Sequence, residues 1–126
     1  MGAVHGARLV AVDARFRAAV LASGGLYDGE PPEVDAFNFA PRVHIPVLML
    51  NGRDDFIYPM RTHQLPLFEA LGTREPDKVF KPFDGGHANF LTRPELIGEV
   101  LDWLDKYLGP VSVRSPQTTD AASSLR

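Results

Sequence analysis

Two short stretches of this sequence carry side chains fit for proton transfer. "NGRDDFIYP", residues 51–59, sets Asp54 and Asp55 behind a glycine, and "FDGGHANF", residues 83–90, sets His87 behind Gly85 and Gly86. A carboxylate can hold an imidazole in one tautomer and stabilise its protonated form. The imidazole can then take a proton from a hydroxyl and deliver it to a leaving group. Neighbouring residues in a turn point in different directions, so only one of Asp54 and Asp55 can face such a histidine. Each stretch also has a plain structural reading, because Asp in a turn caps backbone donors and paired glycines allow tight bends. A working device needs a third member, a hydroxyl activated by the imidazole.

Other side chains of chemical interest carry weaker patterns. Ser23 precedes Gly24-Gly25 and reads as a turn residue rather than a nucleophile. His5 reads as a helix-surface or packing residue, and His44 and His63, beside proline-containing segments, as structural or solvated. Asp54, Asp55, Asp84 and His87 could supply oxygen and nitrogen ligands to a hard or borderline cation, but their spacing matches no recognised ligand set, so neither metal nor cofactor is expected.

The elements that must carry these residues follow from hydrophobic patterning. "AVHGARLVAVD", 3–13, reads as a helix weakened at Gly6 by about 1 kcal/mol relative to Ala. "FRAAVLA", 16–22, and "PVLMLN", 46–51, are near-continuous apolar runs, the mark of strands buried on both faces. Between them, 26–45 is loop with one helical turn near "DAFNFA". Leu65, Phe68 and Leu71 suggest a helix kinked by Pro66. "KVFKPF", 78–83, is shorter and more polar, as an edge strand would be. The last helix has a capping-box pattern at Thr92 and Glu95, an apolar stripe of Leu96, Ile97, Val100, Leu101, Leu104 and Leu108, and a stop at Gly109-Pro110. Residues 112–126 have small polar side chains and no apolar period, and read as a disordered tail. The order of elements predicts an α/β architecture with about three parallel strands and crossover helices. Both chemical stretches then follow strands, at the sheet edge where ligands gather in open parallel sheets. Three strands are few for such a sheet, which predicts completion by a partner, by self-association or by further chain.

Composition narrows the function. A chain of 126 residues, 44% hydrophobic and 23% charged, with net charge -3, suits one globular unit. It has no basic run to track nucleic acid and no apolar stretch approaching the roughly 20 residues a membrane span needs. Cysteine is absent, which excludes disulfides and thiolate catalysis and fits a cytoplasmic protein.

Taken together, "LNGRDDFIYP", "DGGH", "PLFEALGT" and "ELIGEVLDWLDKYLGPV" resemble the C-terminal half of an α/β-hydrolase, whose triad runs serine, acid, histidine along the chain. The whole pattern is similar to bacterial prolyl-oligopeptidase-like and dienelactone-hydrolase-like modules. The resemblance covers 1–111 as a partial domain. It implies that Asp55, three residues after Gly52, is the acid and His87 the base. G-x-S-x-G is absent, but Met1-Gly2 matches its last two positions, so the resemblance places the serine just before Met1 and makes the Met1 amide an oxyanion donor. The implied function is the C-terminal portion of a serine hydrolase, peptidase or esterase, acting on a small-molecule or peptide substrate and inactive by itself. Residues 26–45 would stand where such enzymes carry a lid. The alternative is a non-catalytic binding or assembly module that completes its sheet with a partner.

Overall fold

The apolar runs become three parallel strands: β1 (Ala19–Ala22), β2 (Val47–Gly52) and β3 (Lys78–Phe83), in the order β1-β2-β3. The computed structural model describes residues 2–112. The Met1 amide and the tail from residue 113 onward lie outside the described residues. Helix α1 (Gly2–Val12) precedes β1, α2 (Ala36–Phe39) and a 3-10 turn (Ala40–Arg42) lead into β2, α3 (Leu65–Ala70) joins β2 to β3, and α4 (Pro94–Leu108) closes the chain.

Alternation explains the unbroken hydrophobicity of β2. Val47 and Met49 face one side, packing with Ala19, Leu21, Ala3, Ala7, Leu67 and Leu71 under α1 and α3. Leu48 and Leu50 face the other, against Leu96, Trp103 and Phe90 under α4. The result is a three-layer sandwich whose central strand is buried at every residue. β3 lies at an edge, as its polarity predicted, and its Lys78 ammonium donates to the carbonyls of Phe68 (3.1 Å) and Leu71 (3.1 Å), where a cation complements the end of α3.

Several local expectations change. β1 is confined to four residues, and Phe16 is exposed ahead of it. The helical stretch that carries Leu65, Phe68 and Leu71 opens with a π-helical turn at Met60–Gln64 that runs directly into α3, and Pro66 stands at this junction, in the first turn of α3. α4 begins later than the Thr92–Glu95 pattern implied, since Pro94 opens the helix with Arg93 at the cap position. The predicted stripe of α4 is split. Leu96 is buried together with Trp103, whereas Ile97, Leu101 and Leu108 are each more than half exposed. Glu99, Asp102 and Lys106 lie on the shoulder toward β3, where Lys81 pairs with Glu99 and the Tyr107 hydroxyl donates to Asp77 (2.7 Å). The bare leucines and isoleucine therefore lie on the side of α4 turned away from this shoulder.

This division is measurable by urea denaturation. Leu96→Ala is expected to destabilise the chain by about 2–5 kcal/mol, and Leu101→Ala, from the same predicted stripe, by no more than about 0.5 kcal/mol.

Candidate active site

β2 ends at Gly52, and the turn behind it folds Asp55 inward while Asp54 stays at the surface. The Asp55 side chain has no exposure to solvent. One carboxylate oxygen, Oδ1, accepts from the backbone N–H groups of Ile57 (2.8 Å) and Tyr58 (3.0 Å). The other, Oδ2, lies 2.9 Å from Nδ1 of His87. The turn is held from beneath by Gln64, whose buried amide donates to the carbonyls of Gly52 (2.9 Å) and Tyr58 (2.8 Å).

His87 reaches Asp55 because its loop leaves β3 and crosses the end of β2. At the crossing, a β-carbon on Gly52 would stand 2.2 Å from the Gly86 carbonyl oxygen and 2.5 Å from that of Gly85, so only glycine admits the loop. Gly85 itself has φ of 127°, a conformation open mainly to glycine. The Asp54 N–H donates to the Gly85 carbonyl (3.0 Å), and the Arg53 N–H to that of Phe83 (2.8 Å). With Nδ1 engaged by Asp55, the other ring nitrogen of His87 is the one available for proton transfer.

His87 forms part of the wall of a mainly apolar cavity of about 430 Å3. Val4 and His5 enter it from the first turns of α1, Tyr27 and Glu30 from the loop after β1, and Ile57 and Tyr58 from the acid turn. Glu30 is clamped by Arg8 of α1 at 2.5 and 2.6 Å. The Tyr58 ring lies 5.6 Å from that of His87. Its phenol is pushed above its ordinary value, by burial first and then by the charges of Tyr27, Asp55 and Glu30.

The sequence paired Asp55 with His87, and the structure brings these two together across 32 residues. His5, read as a surface or packing residue, contributes to the cavity wall. Ser23 is a turn residue, and it also donates to the His87 carbonyl (2.6 Å). His63 lies against Asp28 (3.1 Å) and Thr62 (2.7 Å), outside the cavity lining. Of the four residues weighed as metal ligands, Asp55 and His87 bond to each other (2.9 Å), Asp84 pairs with Arg53 (3.1 Å) and Asp54 is exposed. No group of three or more His, Cys, Asp or Glu side chains among the described residues is arranged to hold a metal ion. Gln64 was missed, although it left a signal: it shares helical phase with Leu67 and Leu71, which marks a polar residue facing inward. Arg8 and Glu30 left none, being 22 residues apart without a pattern.

No protein-family model matches the chain, and no curated protein does. Solved structures do. A zinc-bound, cold-adapted esterase from an Arctic intertidal metagenomic library is 30% identical, with a TM-score of 0.72 over 86% of this chain and 46% of that one. A Pyrococcus furiosus esterase, 15% identical, superposes with a TM-score of 0.75 over 86% of this chain and 52% of its own. The esterase domain of a Rhodothermus marinus protein, 18% identical, gives 0.64 over 86% and 57%. The chain thus spans about half the length of the structures it matches.

Two outcomes follow from this geometry. Gly52→Ala must push the histidine loop off the end of β2, which should lower stability by about 1–3 kcal/mol in denaturant and shift the His87 imidazole resonances. In a spectrophotometric titration, subtracting Tyr58→Phe from the unmodified chain should place the Tyr58 ionisation above pH 10.0. Since folding favours the protonated phenol, Tyr58's contribution is intact below that pH and is lost as pH rises through the folded ionisation.

Proposed function

Because this chain folds as the C-terminal half of an α/β-hydrolase, we propose that it supplies the acid and base of a serine esterase whose nucleophile is carried ahead of Met1. The observation that carries the reading is the buried Asp55 bonded to His87 at 2.9 Å, on the wall of a cavity onto which the first turns of α1 open. His87 takes the serine proton as the hydroxyl attacks the ester carbonyl, then returns it to the leaving alcohol. Asp55 keeps the proton on Nδ1, so that the opposite nitrogen is the base, and stabilises the imidazolium that forms. Ester substrates are favoured over peptides because a similar solved structure, 30% identical over 86% of this chain, is an esterase. The start of α1 supports the position of the serine, since unpaired N–H groups at a helix start suit the oxyanion of a tetrahedral intermediate.

A second observation bears on what completes the site. β1 is an edge strand whose Ala19 and Ser23 N–H groups bond toward β2, to Pro46 (2.8 Å) and Leu50 (2.9 Å). By alternation, Val20 and Ala22 turn theirs outward. On α4, Ile97, Leu101 and Leu108 are each more than half exposed. This supports the reading that strands, nucleophile and a covering helix arrive together at β1, as further chain or as a partner. β3, with Pro82 and two lysines, is the protected edge.

The in-frame DNA upstream of Met1 tests the proposal. A reading of Gly-x-Ser directly into Met1-Gly2 is expected, and the longer product should react with a fluorophosphonate probe and hydrolyse short acyl esters. In that product His87→Ala should lower kcat by about 10⁴-fold or more, and Asp55→Asn by about 10⁴-fold. The 126-residue chain should remain unlabelled; stoichiometric labelling of it would overturn the proposal.

A further inference from the structure

The histidine loop starts at β3, crosses β2 above Gly52 and comes down on β1, the far strand of the sheet. It lands on Ser23, the residue that follows β1. The Ser23 hydroxyl donates to the carbonyl of His87 itself at 2.6 Å, joining residues 64 apart in sequence. Ser23 is in turn fixed to β2, since its N–H donates to the Leu50 carbonyl (2.9 Å) and the next residue, Gly24, accepts from the buried Asn51 amide (2.7 Å). Among the described residues Ser23 alone, other than glycines, has a positive φ, at 57°. A serine would relax into an ordinary conformation unless its surroundings held it, and left-handed outliers of this kind gather at functional sites.

The hydroxyl and the unusual backbone belong together. A left-handed residue turns its side chain away from the direction the strand would give it, and here that direction is the His87 carbonyl. Asp55 holds the ring of His87 from the β2 side, and Ser23 holds its main chain from the β1 side. A ring hydrogen bond alone leaves the backbone free to shift, and a shift of about 1 Å is enough to spoil proton transfer. Resting on the reading of His87 as the base, we propose that Ser23 is a positioning residue: its hydroxyl anchors the His87 main chain so that Nδ1 stays on Asp55 and the opposite nitrogen stays aimed into the cavity. The charged and titratable groups around that ring are Asp55 and Tyr58 in contact, with His5, Tyr27 and Glu30 on the cavity wall. All of them are kept in the variants below.

The test is nitrogen NMR of the histidines in the 126-residue chain, in alkaline buffer where the imidazole is neutral. Long-range correlations report which ring nitrogen carries the proton. The unmodified chain should show His87 in the Nδ1–H form, with a downfield proton from the bond to Asp55. Ser23→Gly removes the hydroxyl and relieves the backbone, and Ser23→Ala removes the hydroxyl while keeping the backbone demand. In both, the ratio of Nδ1–H to Nε2–H forms at His87 should fall by about fivefold, the equivalent of one net hydrogen bond, with the downfield signal broadened or lost. The pair is chosen because Ser23→Gly is expected to fold at least as well as the parent, so lost fold cannot explain the change. Either folded variant keeping the parental ratio overturns the role of Ser23. An unmodified chain without the Nδ1–H form overturns the reading of the Asp55–His87 pair instead, and the two failures are thereby separate.

Discussion

A carboxylate withdrawn from water has to be satisfied by the protein itself, and Asp55 imposes that demand on everything around it. Its side chain is fully buried, and its oxygens are met by two backbone N–H groups of its own turn and by the His87 ring. The first two partners require the turn after β2 to curl tightly back, which Gln64 secures from below. The third requires a loop from another strand to cross overhead, which the bare Gly52 permits. Without the imidazole, one oxygen of a buried carboxyl group would stand unpaired, a loss of about 1–3 kcal/mol or more. Stability and the arrangement for proton transfer are thus served by the same bond.

The polar side chains at this end of the sheet form a consistent pattern. Asn51 donates to the Gly24 carbonyl, Gln64 to those of Gly52 and Tyr58, and Ser23 to that of His87. Each joins a main-chain acceptor in one loop to a different segment. Loops that leave parallel strands lack ladder partners, and an inward carbonyl without a donor is costly. Side-chain donors meet that need, and they also tie together loops that hydrophobic packing alone would leave free to slide. At the opposite end of β2 Thr73 does the same for the carbonyls of Val43 and Ile45.

How much of this was legible in the sequence depends on whether the signal was local. The strands of "VLMLNG" and "KVFKPF" announced themselves because burial on two faces leaves no polar alternation, and proline and lysine marked the edge. Gly52, Asp55 and His87 could be placed in one site because strand, turn and loop succeed each other in a known order. The orientation of α4 could not be read, because Leu96 and Leu101 are equal as residue types and only the strand beneath decides which is covered. The start of α4 was displaced for a local reason, since Pro94 is well suited to the first helical position. Ser23 was correctly read as a turn residue, but its partner 64 residues away leaves no trace in a short window.

The register of the sheet sets the order in which such a chain can come together. Ala19 pairs with Val47 and Val47 with Lys78, so no two strands are joined by a hairpin. Each pairing closes a span of about thirty residues before its first ladder bond forms, and the loss of chain entropy comes ahead of the gain. The contacts at the His87 end span more of the chain still, with His87 bonding back to Asp55 across 32 residues and to Ser23 across 64. Folding of this chain is therefore governed by encounters between residues distant in sequence, and the site rests on the longest of those spans.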